Sequence, residues 1–150
     1  GNSILIGSED PECDPKEWIP NPDEFNREIT DSQWKAQVYR CMRRIPTLEE
    51  PSRKRGVVDL YDVSDDWLPI YDSTRIKGYY MAIGSSGNQF KNAPIAGHCM
   101  AELIEACEKG QNHDEDPVQV KTVYTGLTLN MGFYSRNREI NPNSSFSVNG

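Results

Sequence analysis

The sequence predicts an α+β chain. Three observations predict it. Apolar residues recur at helical spacing after Thr30. Short β-branched and aromatic runs follow at residues 56–63, 67–71 and 77–84. The last of these feeds a glycine-bearing turn that opens into a second apolar helix.

Taken in order, Ser3-Ile4-Leu5-Ile6-Gly7 reads as a short apolar strand with no lead-in. Gly1 reads as a residue left by tag cleavage, so Asn2 is expected to be the first natural residue. The abrupt entry into structure points to a partial coding sequence. Residues 8–26, with prolines, asparagines and acids at turn spacing, form an irregular loop. Thr30 with Gln33 makes a capping box, and Trp34, Val38, Met42 and Ile45 lie on one helical face until Pro46 ends the helix. Gly56 to Val63 reads as a strand, and Trp67 to Tyr71 as its return after the acidic turn Ser64-Asp65-Asp66. Lys77 to Gly84 is almost continuously apolar, the pattern of a strand buried on both faces.

A polar loop, Ser85 to Asn92, leads to a helix starting near Ala93-Pro94 with Asn92 as its cap. That helix buries Ala96, Cys99, Met100, Leu103 and Cys107 and stops at Lys109-Gly110. Val118 to Tyr124 is a last strand, followed by an irregular tail rich in Asn and Ser.

Bulk properties exclude several functions. The net charge is −7, and the short basic runs at residues 40–44 and 53–55 give nucleic acid nothing to grip. No apolar run approaches the ~20 residues of a membrane span, so no membrane association and a cytoplasmic chain are expected. Cys13, Cys41, Cys99 and Cys107 show no CxxC spacing and are expected as free thiols. With only His98 and His113 beside them, no metal site is expected. Hydrophobic residues make up 36% and the mean hydropathy is −0.72, leaner than the ~45–50% apolar usual for a globular domain. Long polar connections and a missing partner segment together account for that.

The chemistry concentrates in one stretch, from Gly84 through Ser85-Ser86-Gly87-Asn88-Gln89-Phe90-Lys91 to Pro94. A glycine turn between a buried strand and a helix exposes backbone N–H groups at a helix N-terminus, which carries roughly half a positive charge. Such a place suits phosphate, or a ligand that gains negative charge as it reacts. On spacing alone, an ordinary strand-to-helix connection is the better reading.

The residues of that stretch also carry a resemblance. Tyr79-Tyr80-Met81-Ala82-Ile83-Gly84-Ser85-Ser86-Gly87-Asn88-Gln89-Phe90-Lys91-Asn92-Ala93-Pro94 resembles the last strand–loop–helix of the D-amino-acid-oxidase-like flavoproteins. Sarcosine oxidases and dimethylglycine dehydrogenases have a similar G-x-S-G-x-G-F-K-x-x-P pattern. Upstream, Asp59-Leu60-Tyr61-Asp62-Val63-Ser64-Asp65-Asp66-Trp67-Leu68-Pro69-Ile70 is similar to the same family's G-L-Y-D-x-T-P-D-x-x-P-I segment. Two motifs in the right order and at the right separation are more specific than either alone. The resemblance covers residues from about 50 to 110 well.

The resemblance implies a C-terminal fragment of such an enzyme, with mixed or antiparallel strands of the substrate sheet and the last strand and helix of the FAD-binding layer. Residues 2–75 would belong to the substrate-binding sheet, 76–110 to the FAD-binding domain, and 111–150 to a C-terminal strand and tail. Gly84, Ser85, Gly87, Asn88, Gln89, Phe90 and Lys91 would meet the flavin, FAD being the cofactor. Lys91 would also stand near the substrate, and Tyr61 would project over the ring. Without the resemblance, Lys91 is a solvated surface residue and Tyr61 packs in a sheet.

Three departures qualify the match. Gln89 stands where the family usually has glycine. Asp59 occupies the position of the cysteine that binds flavin covalently in some sarcosine oxidases, so no such link is expected there. No G-x-G-x-x-G occurs in the chain. The expected partners are therefore an amine or amino-acid substrate and a separate Rossmann segment or partner subunit. The chain alone is expected to be inactive and without FAD, and to self-associate through unpaired strand edges. The alternative is a non-catalytic subunit or interaction module that keeps the fold without the cofactor. A freestanding nucleotide-binding domain is weaker, because one glycine loop lacks any base-reading companion.

Overall fold

The structure is a computed structural model that describes residues 3–7 and 17–144. Cys13 and part of the expected loop at 8–26 lie outside the described residues, as does the end of the tail. The chain forms two compact units, Gly1–Leu60 and Tyr61–Gly150.

The first unit is built on helix α1, Asp31–Arg44. Thr30 caps it, its hydroxyl accepting the Gln33 N–H at 3.2 Å and donating to Gln33 Oε1 at 3.3 Å. Asp31 in the first turn and Arg43 and Arg44 in the last complement the helix dipole. Val38 is buried and Trp34 and Met42 are half-buried, as the periodicity requires, but Ile45 is the C-cap and lies exposed. Lys54 reaches Asp31 at 2.6 Å and the Ile29 carbonyl at 3.0 Å, tying residues after the helix to its start. Thr30→Ala should lower stability by about 1 kcal/mol, read as a shift in urea midpoint with unchanged slope.

Two expected strands are not there. Residues 3–7 have no regular structure, and Leu5 is 97% exposed. Residues 56–63 are assigned to no strand or helix and pair with no ladder among the described residues. β-Branched sequence makes a strand only when another backbone pairs with it, and the Asp62 carbonyl instead accepts the Ser86 N–H at 2.9 Å.

In the second unit, β1 (Ile70–Ser73) pairs antiparallel with β2 (Tyr80–Ile83), Ile70 facing Ile83 and Ser73 facing Tyr80. The run expected from Trp67 therefore starts late. Trp67 is in a turn, with φ +61 and its N–H bonded to the Ser64 carbonyl. The run expected from Lys77 also starts late, because Gly78 (φ +75) closes the hairpin. β2 is not buried on both faces: it has one ladder partner, and Ala82 and Ile83 are exposed.

Helix α2 spans Gln89–Glu108. It begins before Ala93-Pro94, so Asn92 is inside it and does not cap it. Pro94 removes the hydrogen bond that would have reached the Phe90 carbonyl. The helix ends as expected, at Lys109 followed by Gly110 at φ +100.

The polar tail holds more structure than its composition announces. β3 (Gln119–Lys121) pairs with β4 (Thr128–Asn130), and a 3-10 helix follows at Met131–Tyr134. Asn130 caps that turn through the Gly132 N–H at 2.9 Å. The core unites Tyr71 of β1, Cys99 and Leu103 of α2, Val118, Val120 of β3 and Met131. Ala96, Met100 and Cys107 pack against it, as the helical spacing predicts. Cys41, Cys99 and Cys107 are free thiols, and burial pushes those of Cys99 and Cys107 up. Among the described residues, no helix is long and apolar enough to cross a membrane.

Candidate functional site

From the end of β2 the chain turns through Gly84 (φ +68), Ser86 (φ +47) and Gly87 (φ +76) before α2 opens. A Cβ on Gly84 would come within 3.2 Å of the Ser64 Cβ, so both space and backbone angle require glycine there. Ser86 holds a left-handed conformation unusual for a residue with a side chain. It is fully buried, with its N–H on the Asp62 carbonyl and its hydroxyl donating to the Gly84 carbonyl at 3.3 Å.

Asp62 organises this turn. One carboxylate oxygen accepts the Gly84 N–H at 2.8 Å and the other accepts the Ser85 hydroxyl. Burial pushes the carboxyl up. The Ser85 hydroxyl and the surrounding amides outweigh that and hold it below the ordinary carboxylate range. Asp62 is thus ionised at neutral pH and aimed into the turn.

At the start of α2, Asn88 makes no side-chain capping bond and the first turn contains no acidic residue. First-turn amides have no intrahelical partner in any α-helix. The dipole adds positive potential at the same end. Here no side-chain cap and no first-turn carboxylate offsets that potential.

Beside this helix end lies a cleft of about 480 Å³. Trp67, Leu68, Pro69 and Tyr71 line one wall, and Ile95, Ala96 and Cys99 of α2 another. Leu129, Phe133 and Tyr134 close it. Tyr134 stacks tilted on Tyr71 at 5.3 Å and edge-on to Phe133 at 5.2 Å. The Tyr71 hydroxyl donates to Gln89 Oε1. Burial, with Tyr134 and Cys99 adding to it, pushes the Tyr71 phenol up to about 12, so it stays a neutral donor.

Of the residues singled out from sequence, Asn88, Gln89 and Lys91 line this cleft together with Asn92. Gly84, Ser85 and Gly87 form the turn behind it. Phe90 is 99% exposed and Tyr61 60% exposed, and neither belongs to the lining. Gln89 is the first residue of α2, and its side chain is taken by Tyr71. Sequence reasoning missed Asp62 as an anchor, although it stands beside Tyr61 in the upstream motif. It also missed Tyr71 and Ser86.

A second missed feature is the polar frame under the cleft. Arg138 forks onto buried Asp66, with Nε to Oδ2 at 2.8 Å and Nη2 to Oδ1 at 2.5 Å. Asp72, also fully buried, accepts from Ser73 N–H at 2.7 Å, Ser135 Oγ at 3.0 Å and Arg136 N–H at 2.7 Å. Arg136 adds an ion pair to the same carboxylate at 2.9 Å. His113 takes the Val118 N–H on Nδ1 at 3.1 Å, which leaves its proton on Nε2, 3.6 Å from Asp72. Among the described residues, no cluster of three or more His, Cys, Asp or Glu could hold a metal ion.

A glycine turn anchored by a carboxylate thus runs into a helix without a side-chain cap, beside an aromatic cleft. The family model described as FAD dependent oxidoreductase (DAO) matches residues 1–103, well over half of the chain. The chain belongs to that FAD-dependent oxidoreductase family, whose cofactor is FAD. No curated protein and no solved structure matches it.

The residues present fit the pyrimidine edge of a flavin. That edge offers carbonyl acceptors and gains negative charge on reduction, and the α2 terminus has the positive end of the helix dipole with no side-chain cap and no first-turn carboxylate to oppose it. The adenine and pyrophosphate half has no corresponding glycine fingerprint in the 150 residues.

Proposed function

We propose that this chain supplies the flavin-facing edge of an enzyme that oxidises a C–N bond of an amine or amino acid, of the sarcosine oxidase and dimethylglycine dehydrogenase type. When bound, FAD would supply a two-electron hydride acceptor: the neutral amine would lose the hydride from the carbon next to nitrogen to the flavin and the proton from nitrogen to solvent, and leave as the imine. The reading is carried by one observation: in a chain of this family, the α2 terminus is free of a capping side chain and of acidic residues. Gly87 and the first-turn amides of Gln89, Phe90 and Lys91 act as donors to the ring edge. They are worth more in the reduced, negatively charged state than in the oxidised one, which favours reduction.

Lys91, on the rim of the cleft, holds the substrate carboxylate, and the aromatic walls take its apolar part. Tyr61, exposed beside Asp62, is the face contributed to the ring. A Rossmann segment, on the same polypeptide or on a partner, binds the pyrophosphate, and the 150-residue chain by itself takes up no flavin. The cytoplasm is the proposed compartment.

The test is Lys91→Met in the flavin-loaded protein. The Michaelis constant for an amino-acid substrate should rise about tenfold or more, the effect of losing a charge-assisted hydrogen bond. A simple amine without a carboxylate should be processed as before. An equal loss on both substrates moves Lys91 from the carboxylate to the flavin. No change on either returns it to the solvated surface. The alternative, a non-catalytic module that keeps the fold, requires that the protein with its Rossmann segment remain colourless in excess FAD.

A further inference from the structure

The upstream motif and the glycine turn are joined by one side chain, and the junction has a consequence for the cofactor. Asp62 stands 22 residues before Gly84, in a segment that belongs to no ladder among the described residues. Its carboxylate takes the Gly84 N–H and the Ser85 hydroxyl, and its carbonyl takes the Ser86 N–H. Three consecutive residues of the turn are thereby fastened to one residue upstream.

The fastening has a direction. Gly84 and Ser86 turn their N–H groups inward, toward Asp62. The Asn88 N–H is taken by the Ser85 carbonyl at 2.9 Å, so the donors that this reading gives to a ligand are those of Gly87 and of the first turn of α2, which have no intrahelical acceptor. The turn also holds a non-glycine residue at φ +47, a strained conformation that persists only where its surroundings impose it. The Asp62 carbonyl and the Gly84 carbonyl, one on each polar group of Ser86, are those surroundings.

We infer that Asp62 is a positioning residue for the flavin: it presets the turn so that the Gly87 amide and the α2 terminus meet the ring edge without reorganising. This rests on the flavin-facing reading of the turn. Asp62 touches neither the ring nor the substrate, and it acts through Gly84, Ser85 and Ser86.

Two variants separate shape from charge. Asp62→Ala removes the side-chain anchors. Asp62→Asn keeps an acceptor for Gly84 N–H and offers its amide to the Ser85 oxygen, so it preserves the clamp without the charge. In the flavin-loaded protein, Asp62→Ala should speed hydrogen exchange at Gly84 by about ten- to a hundredfold, as expected for the loss of a charge-assisted bond. It should also weaken FAD binding about tenfold and lower the flavin reduction potential. Asp62→Asn should recover most of the affinity and potential.

Unchanged Gly84 exchange in Asp62→Ala overturns the clamp itself. Faster exchange with wild-type FAD affinity and potential overturns the link to the cofactor, leaving a turn that Asp62 holds for stability alone. A wild-type protein that takes no FAD even with its Rossmann segment present overturns the parent reading instead. Its Gly84 exchange would still report whether Asp62 holds the turn.

Discussion

Arg138→Met is expected to destabilise the protein by about 3–5 kcal/mol, the range for breaking a buried ion pair from one side. The Arg138 side chain is 7% exposed and that of Asp66 is fully buried, so removing the guanidinium strands a carboxylate away from water. Ser64 Oγ and the Leu68 N–H, each at 3.2 Å, are the partners that remain. The guanidinium also serves the Leu68 carbonyl at 3.0 Å and the Ser135 carbonyl at 3.1 Å, and methionine replaces neither bond.

The same pair sets an acid limb. The Arg138 hydrogen bond, opposed by burial and aided by the Leu68 amide, holds the Asp66 carboxyl at about 2, against an ordinary 3.8. The folded value lies below the unfolded one. The contribution is therefore complete above about pH 4 and disappears as the pH falls toward 2. Its size is roughly 2 kcal/mol. Urea unfolding at pH 7 reads the first effect, and melting temperature from pH 5 to 2.5 reads the second. Arg138→Met should flatten the acid limb as well as lower the plateau. A loss under about 0.5 kcal/mol at pH 7, the size of an ordinary surface change, would mean that the pair adds no net stability.

The sequence announced the elements that depend on local spacing. α1 is marked by Thr30, Gln33 and an apolar stripe, and α2 by Cys99, Leu103 and a glycine stop. Both lie where those residues put them, apart from the start of α2. That start was masked by Asn92 and Pro94, which imitate a cap and a first-turn proline. The backbone had already turned helical at Gln89, and the helix tolerates one lost bond.

Strands were read less well, for the reason that pairing is not local. Val57 and Val58 have the composition of a strand but pair with no strand among the described residues, whereas Thr128 and Asn130 are polar and still pair with β3 on either side of Leu129. The glycine turn of the site was legible from Gly84, Gly87 and the motif around them. Its anchor was not, because nothing at Asp62 distinguishes a carboxylate facing backbone amides from one facing water. The frame of Asp66, Asp72, Arg136 and Arg138 was invisible for the same reason, its partners lying more than 60 residues apart.

Leu103→Ala should be the costliest apolar substitution, at about 2–5 kcal/mol. Leu103 is fully buried at the middle of the core that joins α2 to β1, β3 and the 3-10 helix. Its neighbours Tyr71, Cys99, Val120 and Met131 come from elements held by their own hydrogen bonds, so they can collapse only partly into the space left. Leu103→Met conserves volume and should cost under about 1.5 kcal/mol. The denaturant midpoint should fall in that order with the slope unchanged. The site feels the same change, because Tyr71 and Cys99 belong both to this core and to the wall of the cleft. Were Leu103→Ala to cost less than about 1 kcal/mol, the surrounding elements would be closing over the space, well below the range for a buried leucine. The cleft wall, and with it the Tyr71 bond to Gln89, would then have to move as they closed.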